Sequence, residues 1–376
     1  VATSYGFLST YPPTQCGLAT FTAALCRALT LPGHDARVGV VRVVDAKVYT
    51  ARPYVVGHLR AGDPGGPIAA AAALNEYDVA IVQHEYGIYG GLDGDEVLSV
   101  LDHVRVPVIS VLHTVLTRPT PHQRSVLEAV TARAEAVVVL SDTARARLVS
   151  GYDVDTAKVT VIPHGAAEIA EHVTAGGRRP TILTWGLLGP GKGIEWALAA
   201  MRGLRRLQPL PQYIIAGQTH PRVLAREGEA YRLGLVTRIR ALGIDGLVRF
   251  ERGYLDEPVL RRLIARADIV LLPYDSNEQV TSGVLIEAVA AHKPVVSTAF
   301  PHAVELLAGG AGIVVPHRNA AAIGDALLRV LTEPGLAAHM SRAAAQLAPA
   351  VRWPTVADRY RSLAGQLLSD GLLATR

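Results

Sequence analysis

Between Tyr274 and Ala291 the chain reads YDSNEQVTSGVLIEAVAA, a run whose polar residues and glycine could hold an anion at a helix start. A strand-like run, Asp268 to Leu272, passes through Pro273 into a polar loop that delivers Thr281, Ser282 and Gly283 to the start of an apolar helix. The first turn of such a helix leaves backbone N–H groups unpaired and carries about half a positive charge, so an anion is favoured there. Gly283 lets it approach closely. Gln279 precedes the helix, and Glu287 lies ~7 Å along its axis from Ser282 at ~1.5 Å per residue. The two side chains could flank a diphosphate, one facing a sugar and the other a ribose. An ordinary capped helix with a solvated Glu287 would have the same sequence, and this stretch leaves both readings open.

Two other segments make the same strand-to-loop-to-helix passage. GLLGPGKG, Gly186 to Gly193, adds Lys192, which as a point charge could neutralise a diphosphate. It is not a Walker loop, because no Ser or Thr follows the lysine and the glycine spacing differs. A solvated lysine at a helix start is the plainer alternative. YPPTQCGLATFT places Gly17 at a turn where a backbone could approach a phosphate, although any strand-to-helix turn could look alike.

A different chemistry is suggested by QHEYGIYGG, Gln83 to Gly91. Mixed polar and aromatic loops grip hydroxyl-rich acceptors, and His84 or Glu85 could take a proton there, with Tyr86 beside them. Adjacent strand residues face opposite ways, so at most one of the two faces a ligand. His113 and His164 end two further strands, where a lone histidine is more often structural. Asp93 with Asp95 and Asp153 with Asp155 have the DxD spacing of metal-dependent sugar transfer, but both pairs stand where Asp caps turns or helices. No metal is expected. No GxSxG elbow and no His/Cys cluster supports a hydrolase or a zinc enzyme.

The elements that must hold these residues follow from an alternation of strand-like runs and helical stretches, which predicts parallel sheets covered on both faces. YGFLST, RVGVVRVV, DVAIVQHE, PVISVLHT, AVVVLS and KVTVIPHG form a first series. A second series, TILTWG, QYIIAG, LVRFE, DIVLLP, PVVST and GAGIVVP, starts after the polar run Glu171 to Arg179, which reads as a linker. A length of 376 residues suits two such units, and 49% hydrophobic with 19% charged residues is globular. The net charge of +4 is too diffuse for nucleic acid, and no basic block is interleaved with aromatics. Cys16 and Cys26 match no metal or redox spacing and suit a reducing cytosol. No apolar run reaches the ~18 residues of a membrane span.

Together PPTQCGLATFT, GLLGPGKG and QVTSGVLIEAVAAHKPVVST resemble the retaining glycosyltransferases of family 4, in the right order and spacing and over essentially the whole chain. The resemblance implies the α/β GT-B fold, two Rossmann-like doubly wound parallel-sheet domains facing a central cleft. Residues 1–172 would form the acceptor-side domain, 173–350 the nucleotide-sugar domain, and 351–376 a helix packing back on the first. It implies catalytic roles for Lys192, His113, Gln279 and Glu287. It puts Glu287 on the ribose, Lys192 on the diphosphate, Gln279 on the donor hexose and His113 near the donor sugar. The backbone from Ser282 through Gly283 and Val284 to Leu285 would hold the phosphates, with Thr281, Gly17 and Gly186 nearby. His84, Glu85 and Tyr86 would contact the acceptor.

Two positions depart from the family pattern: Leu187 stands where an Arg is usual, and Gln279 where a Glu is. Arg252 could replace the missing cation, and Gln279 can still donate and accept hydrogen bonds to a sugar. The expected activity is metal-independent, front-face transfer of a hexose from a GDP-, UDP- or ADP-sugar to a hydroxyl acceptor, without a cofactor. A nucleotide-sugar epimerase and a catalytically silent sugar-nucleotide-binding protein are the alternatives. The expected place is the cytoplasm, with peripheral contact at the inner membrane face as a variant; the oligomeric state stays open.

Overall fold

The structure is a computed structural model and describes residues 3–33, 35–45, 51–169, 179–251 and 253–374. The chain folds into two compact units, Val1–Gly165 with Trp353–Arg376, and Ala166–Arg352.

In the first unit the strands are β1 (Tyr5–Ser9), β2 (Val38–Val44), β3 (Val55–Arg60), β4 (Val79–His84), β5 (Val108–Leu112), β6 (Ala136–Val139) and β7 (Val159–Val161). They pair in parallel in the order β3-β2-β1-β4-β5-β6-β7. In β1, β2, β4, β5 and β6 every residue is buried, because helices cover both faces of a parallel sheet. β3 is the exception. It lies at the edge and alternates partly buried with exposed residues, so YVVGHLR gives no strong strand signal. The helix Gly66–Leu74 that follows was likewise unread, since GPIAAAAAL has no polar face to mark a helical period.

The second unit carries β8 (Thr181–Trp185), β9 (Gln212–Ala216), β10 (Val248–Glu251), β11 (Ile269–Leu272), β12 (Val295–Thr298) and β13 (Gly312–Val315). Their order is β10-β9-β8-β11-β12-β13, again parallel. Each sheet is doubly wound, as expected from the alternation. The strand order reverses between β1 and β4 in one and between β8 and β11 in the other. Loops leaving the carboxyl ends of those strands are where ligands bind in open α/β sheets.

The last helix, Trp353–Ala374, buries Val356, Ala357, Tyr360 and Ala364 in the core that Phe21, Leu25 and Leu29 share from the Gly17–Leu29 helix. The units divide at Gly165/Ala166 and Arg352/Trp353, seven and two residues from the boundaries expected. The Ala166 N–H donates to the Val351 carbonyl at 2.7 Å, which ties both chain passages into the second unit at that point. Of the expected linker, all but Arg179 lies outside the described residues.

Candidate functional site

In the second unit, three loops rise from the carboxyl ends of β8, β9 and β11. The β8 loop needs glycine. Gly186 sits at φ +121°, Gly191 at +86° and Gly193 at +63°, and a Cβ on Gly193 would overlap the Pro273 carbonyl oxygen. The Asp275 N–H donates to the Gly191 carbonyl at 2.9 Å, so the lysine loop is pinned to the β11 loop. Lys192 Nζ lies 4.4 Å from the centre of the buried Tyr274 ring. Among the described residues no carboxylate is within salt-bridge distance of it. Burial lowers its pKa, as expected of a cation held back from water.

Ser282 is the N-cap of the Gly283–Ala290 helix, its hydroxyl accepting from the Leu285 N–H at 3.2 Å. The Ser282 N–H donates at 2.9 Å to Nδ1 of the buried His302, which leaves that ring's proton on Nε2. This corrects the expectation that the whole backbone from Ser282 to Leu285 is open to phosphate. Ser282 and Leu285 have spent their N–H groups inside the protein, and among the described residues only those of Gly283 and Val284 in this stretch lack an acceptor. Thr281 Oγ1 is buried without a partner, and the Gln279 amide donates to the Thr281 carbonyl at 3.2 Å.

Glu287 is not the solvated residue of the plainer reading. Its Oε2 accepts from Trp185 Nε1 at 3.0 Å, and burial pushes its carboxyl up to about 7 against the pull of that hydrogen bond. Near neutral pH this group can both accept from and donate to a hydroxyl. Leu187 is partly buried at the mouth of the β8 loop, and Arg252, proposed above as the substitute cation, lies outside the described residues.

The first unit presents a different set. Gly17 opens the Gly17–Leu29 helix after the N-cap Cys16, whose Sγ accepts from the Ala19 N–H at 3.4 Å. A Cβ at Gly17 would meet nothing within 4 Å, so packing alone does not require the glycine. His113 Nε2 donates to Gln83 Oε1 at 2.6 Å, and its ring meets the Phe21 edge at 4.9 Å. His164 Nδ1 donates to the Gly165 carbonyl at 2.7 Å and packs on Phe21 and Trp353. Burial, with the neighbouring imidazoles His164 and His84, lowers the pKa of His113 to about 3; burial lowers His84 and His164 to about 4. All three are neutral at pH 7.

His84 is 1% exposed with Nδ1 unpartnered, and its ring meets Tyr86 edge-on at 5.0 Å. The Tyr86 hydroxyl is buried and its near neighbour is the Tyr152 hydroxyl. Glu85 accepts from Thr114 Oγ1. β4 ends at His84, so His84 is buried in the sheet while Glu85, half-buried, already belongs to the loop. Asp93 and Asp95 both reach His122, at 3.1 and 3.5 Å, while Asp155 caps the Ala157 N–H at 3.0 Å. Sequence reading overlooked Trp185, Tyr274, His302 and Gln83. Each ends or closely follows a strand, or opens the helix after one, and that position was the available signal.

Residues 16–167 match the family model described as Glycosyltransferase Family 4, and residues 179–333 the one described as Glycosyl transferases group 1. Glycogen synthase of Mycobacterium tuberculosis is 32% identical over 209 residues, 54% of this chain and 47% of that protein, so the chain spans about half that relative's length. D-inositol 3-phosphate glycosyltransferase of Kineococcus radiotolerans is 25% identical over 398 residues, covering 91% of this chain and 88% of the relative. Among solved structures, Anabaena HepE in complex with UDP superposes with a TM-score of 0.72 at 16% identity, over 96% of this chain and 100% of that one. With the two doubly wound parallel sheets, that likeness identifies the fold as GT-B.

Proposed function

Because the chain belongs to the group 1 glycosyltransferases, we propose that it moves a hexose from a nucleoside diphosphate sugar to a hydroxyl acceptor, with retention and without a metal ion. The observation that carries the reading is the β8–β11 edge. Among the described residues, an ammonium without a carboxylate partner stands on a loop set by glycines at positive φ, and two N–H groups without acceptors and a half-buried carboxyl stand on the first turns of the Gly283–Ala290 helix.

Breaking the bond between sugar C1 and the phosphate oxygen leaves negative charge on the diphosphate. Lys192 and the Gly283 and Val284 N–H groups are suited to receive it, held in place before the charge develops. Such stabilisation does the work that a divalent cation does in metal-dependent transfer. Glu287 is assigned to the ribose hydroxyls, and Gln279, once its amide leaves the Thr281 carbonyl, to a hexose hydroxyl. The acceptor oxygen bonds to C1 on the face the phosphate leaves, and its proton passes to the departing phosphate oxygen. Acceptor recognition is assigned to the first unit, with His84, Glu85 and Tyr86 as candidates.

Calorimetry with UDP, GDP, ADP and dTDP, with and without Mg2+, tests the donor half. One diphosphate should bind without metal, and product from its sugars should keep the donor's anomeric configuration by NMR. No binding by any of the four, or an inverted linkage, defeats the reading. Binding without transfer to any acceptor favours a silent binding protein, and donor turnover with no acceptor present an epimerase.

A further inference from the structure

Arg42 is a cation in the wrong place for a structural residue. It sits on β2 two and four residues after Val40 and Val38, on the face that packs against the Gly17–Leu29 helix, opposite Ser9 of β1 in the register. Only 5% of it is exposed. One of its five N–H donors is visibly used, Nη2 donating to Thr14 Oγ1 at 2.9 Å, while Nε and Nη1 are buried with no acceptor.

No counter-ion is at hand. Among the described residues no carboxylate is within salt-bridge distance, the adjoining Asp45 is exposed, and residues 46–50, AKVYT, contain no acid. The charged group that acts on Arg42 is another cation, Arg52; it and, more strongly, burial lower the guanidinium's pKa. A charge taken from water without a partner destabilises the protein that contains it. A ligand of opposite charge would relieve that cost, which makes the position a candidate binding site.

The position suits a ligand. Thr14 lies in the turn between β1 and the Gly17–Leu29 helix, where Pro13, Gln15 and Gly17 are exposed. The helix start behind it has Cys16 as a sulfur cap, which takes the Ala19 N–H and also meets Thr10 Oγ1 at 3.2 Å. Through Thr14 the guanidinium is tied to the turn that leads into the helix start, so an oxyanion drawn to Arg42 would lie beside a second feature that favours negative charge.

We propose, on the glycosyltransferase reading above, that Arg42 binds an oxyanion carried by the acceptor, so that the acceptor is a phosphorylated or carboxylated hydroxyl compound and not a neutral sugar. Lys192 and the Gly283 helix start serve the donor diphosphate in the second unit. Arg42 serves a separate charge in the first.

The test uses the whole chain and keeps the two anions apart. Inorganic phosphate, a hexose phosphate and a hexuronate are titrated at constant ionic strength against wild type and Arg42→Met, with a neutral hexose as control and UDP in parallel. The expected result is that the charged probes raise the wild-type Tm and the neutral one does not. Arg42→Met should lose that response by about tenfold or more in apparent affinity while its Kd for UDP is unchanged. Ligand-free Arg42→Met should melt at or above wild type, since an unpaired buried charge has gone. Thr14→Val, which leaves the guanidinium in place but removes its acceptor, should lower the ligand-free Tm and keep the phosphate response, and it stands in if Arg42→Met does not fold.

The proposal is overturned if no charged probe shifts wild type, if Arg42→Met or Thr14→Val leaves the response unchanged or abolishes it, respectively, or if Arg42→Met weakens UDP binding as much as phosphate binding. That last result would hand Arg42 to the donor. Failure of UDP to bind wild type while phosphate still acts through Arg42 would instead defeat the donor reading alone.

Discussion

The carboxyl edges of the two sheets hold opposite electrostatic states on one scaffold. At the β8–β11 edge a lysine rests on an aromatic ring, two N–H groups lack acceptors, and a carboxyl is pushed up to about 7. At the β4–β5 edge three imidazoles are held neutral by burial and tied to an amide, a carbonyl and ring edges. Both sheets are doubly wound and both reverse at the same kind of point. The scaffold therefore chooses where chemistry can happen, and strand-end side chains choose which. The β8–β11 edge keeps charge uncompensated for a ligand to meet, and the histidines of the β4–β5 edge are kept neutral.

Acidification is the strongest way to separate the two. The histidines' pKa values are depressed from 6.5, so their share of stability is full above pH 6.5 and is lost as pH falls through about 4 and then about 3. Glu287 runs the other way. Its pKa is raised from 4.5 to about 7, so its share is full below pH 4.5 and is lost as pH rises through about 7. At about 1.4 kcal/mol for each tenfold change in proton affinity, bringing the pH from 6.5 to 4 should destabilise the first unit by several kcal/mol. Hydrogen exchange should speed up in β4, β5 and the Trp353–Ala374 helix before it does in β8 and β11. Equal loss of protection in both units would erase the contrast.

Packing at the histidine edge is tested next. Trp353 lies against Phe21 at 5.2 Å, and Gly165 has no Cβ because one would overlap the indole. Trp353→Ala should lower the denaturant midpoint by the equivalent of about 3–5 kcal/mol. A change below about 1 kcal/mol would mean that the rings are not a packed unit. At the charged edge, Lys192→Ala should weaken nucleotide diphosphate binding about 10- to 100-fold, the worth of a charge-assisted contact, with little loss of stability. An unchanged calorimetric Kd would remove Lys192 from the site. The smallest effect is expected from Glu287→Gln. Wild-type affinity should improve by up to about tenfold between pH 6 and 8 as the carboxyl ionises, and the variant's pH profile should be flat. A variant as pH-sensitive as wild type would take Glu287 off the ribose.

Most of the architecture was legible because a strand buried on both faces must be apolar throughout, and such runs mark themselves. β3 escaped because an edge strand need be apolar only in part, and Gly66–Leu74 because an alanine-rich helix carries no periodic signal. At the site, Gly283, Glu287 and Lys192 could be picked out by type and spacing. The partners could not. That Ser282 spends its N–H on His302, twenty residues on, depends on a contact between the starts of two helices. Trp185 meets Glu287 across 102 residues of sequence. Arg42 was visible as the one charge in VGVVRVV, but only burial and the missing counter-ion give it meaning.

The division of the first unit also sets an order of assembly during synthesis. Ala166–Arg352 is continuous, so the second unit is complete in sequence once Arg352 has left the ribosome. The first unit is begun earlier and finished later. Tyr5, Phe7, Phe21 and Leu25 share a core with Val356 and Tyr360, which are made after the second unit. While the second unit is translated, the nascent first unit carries an uncovered apolar face on the Gly17–Leu29 helix, the kind of surface that chaperones hold and that aggregates when they do not.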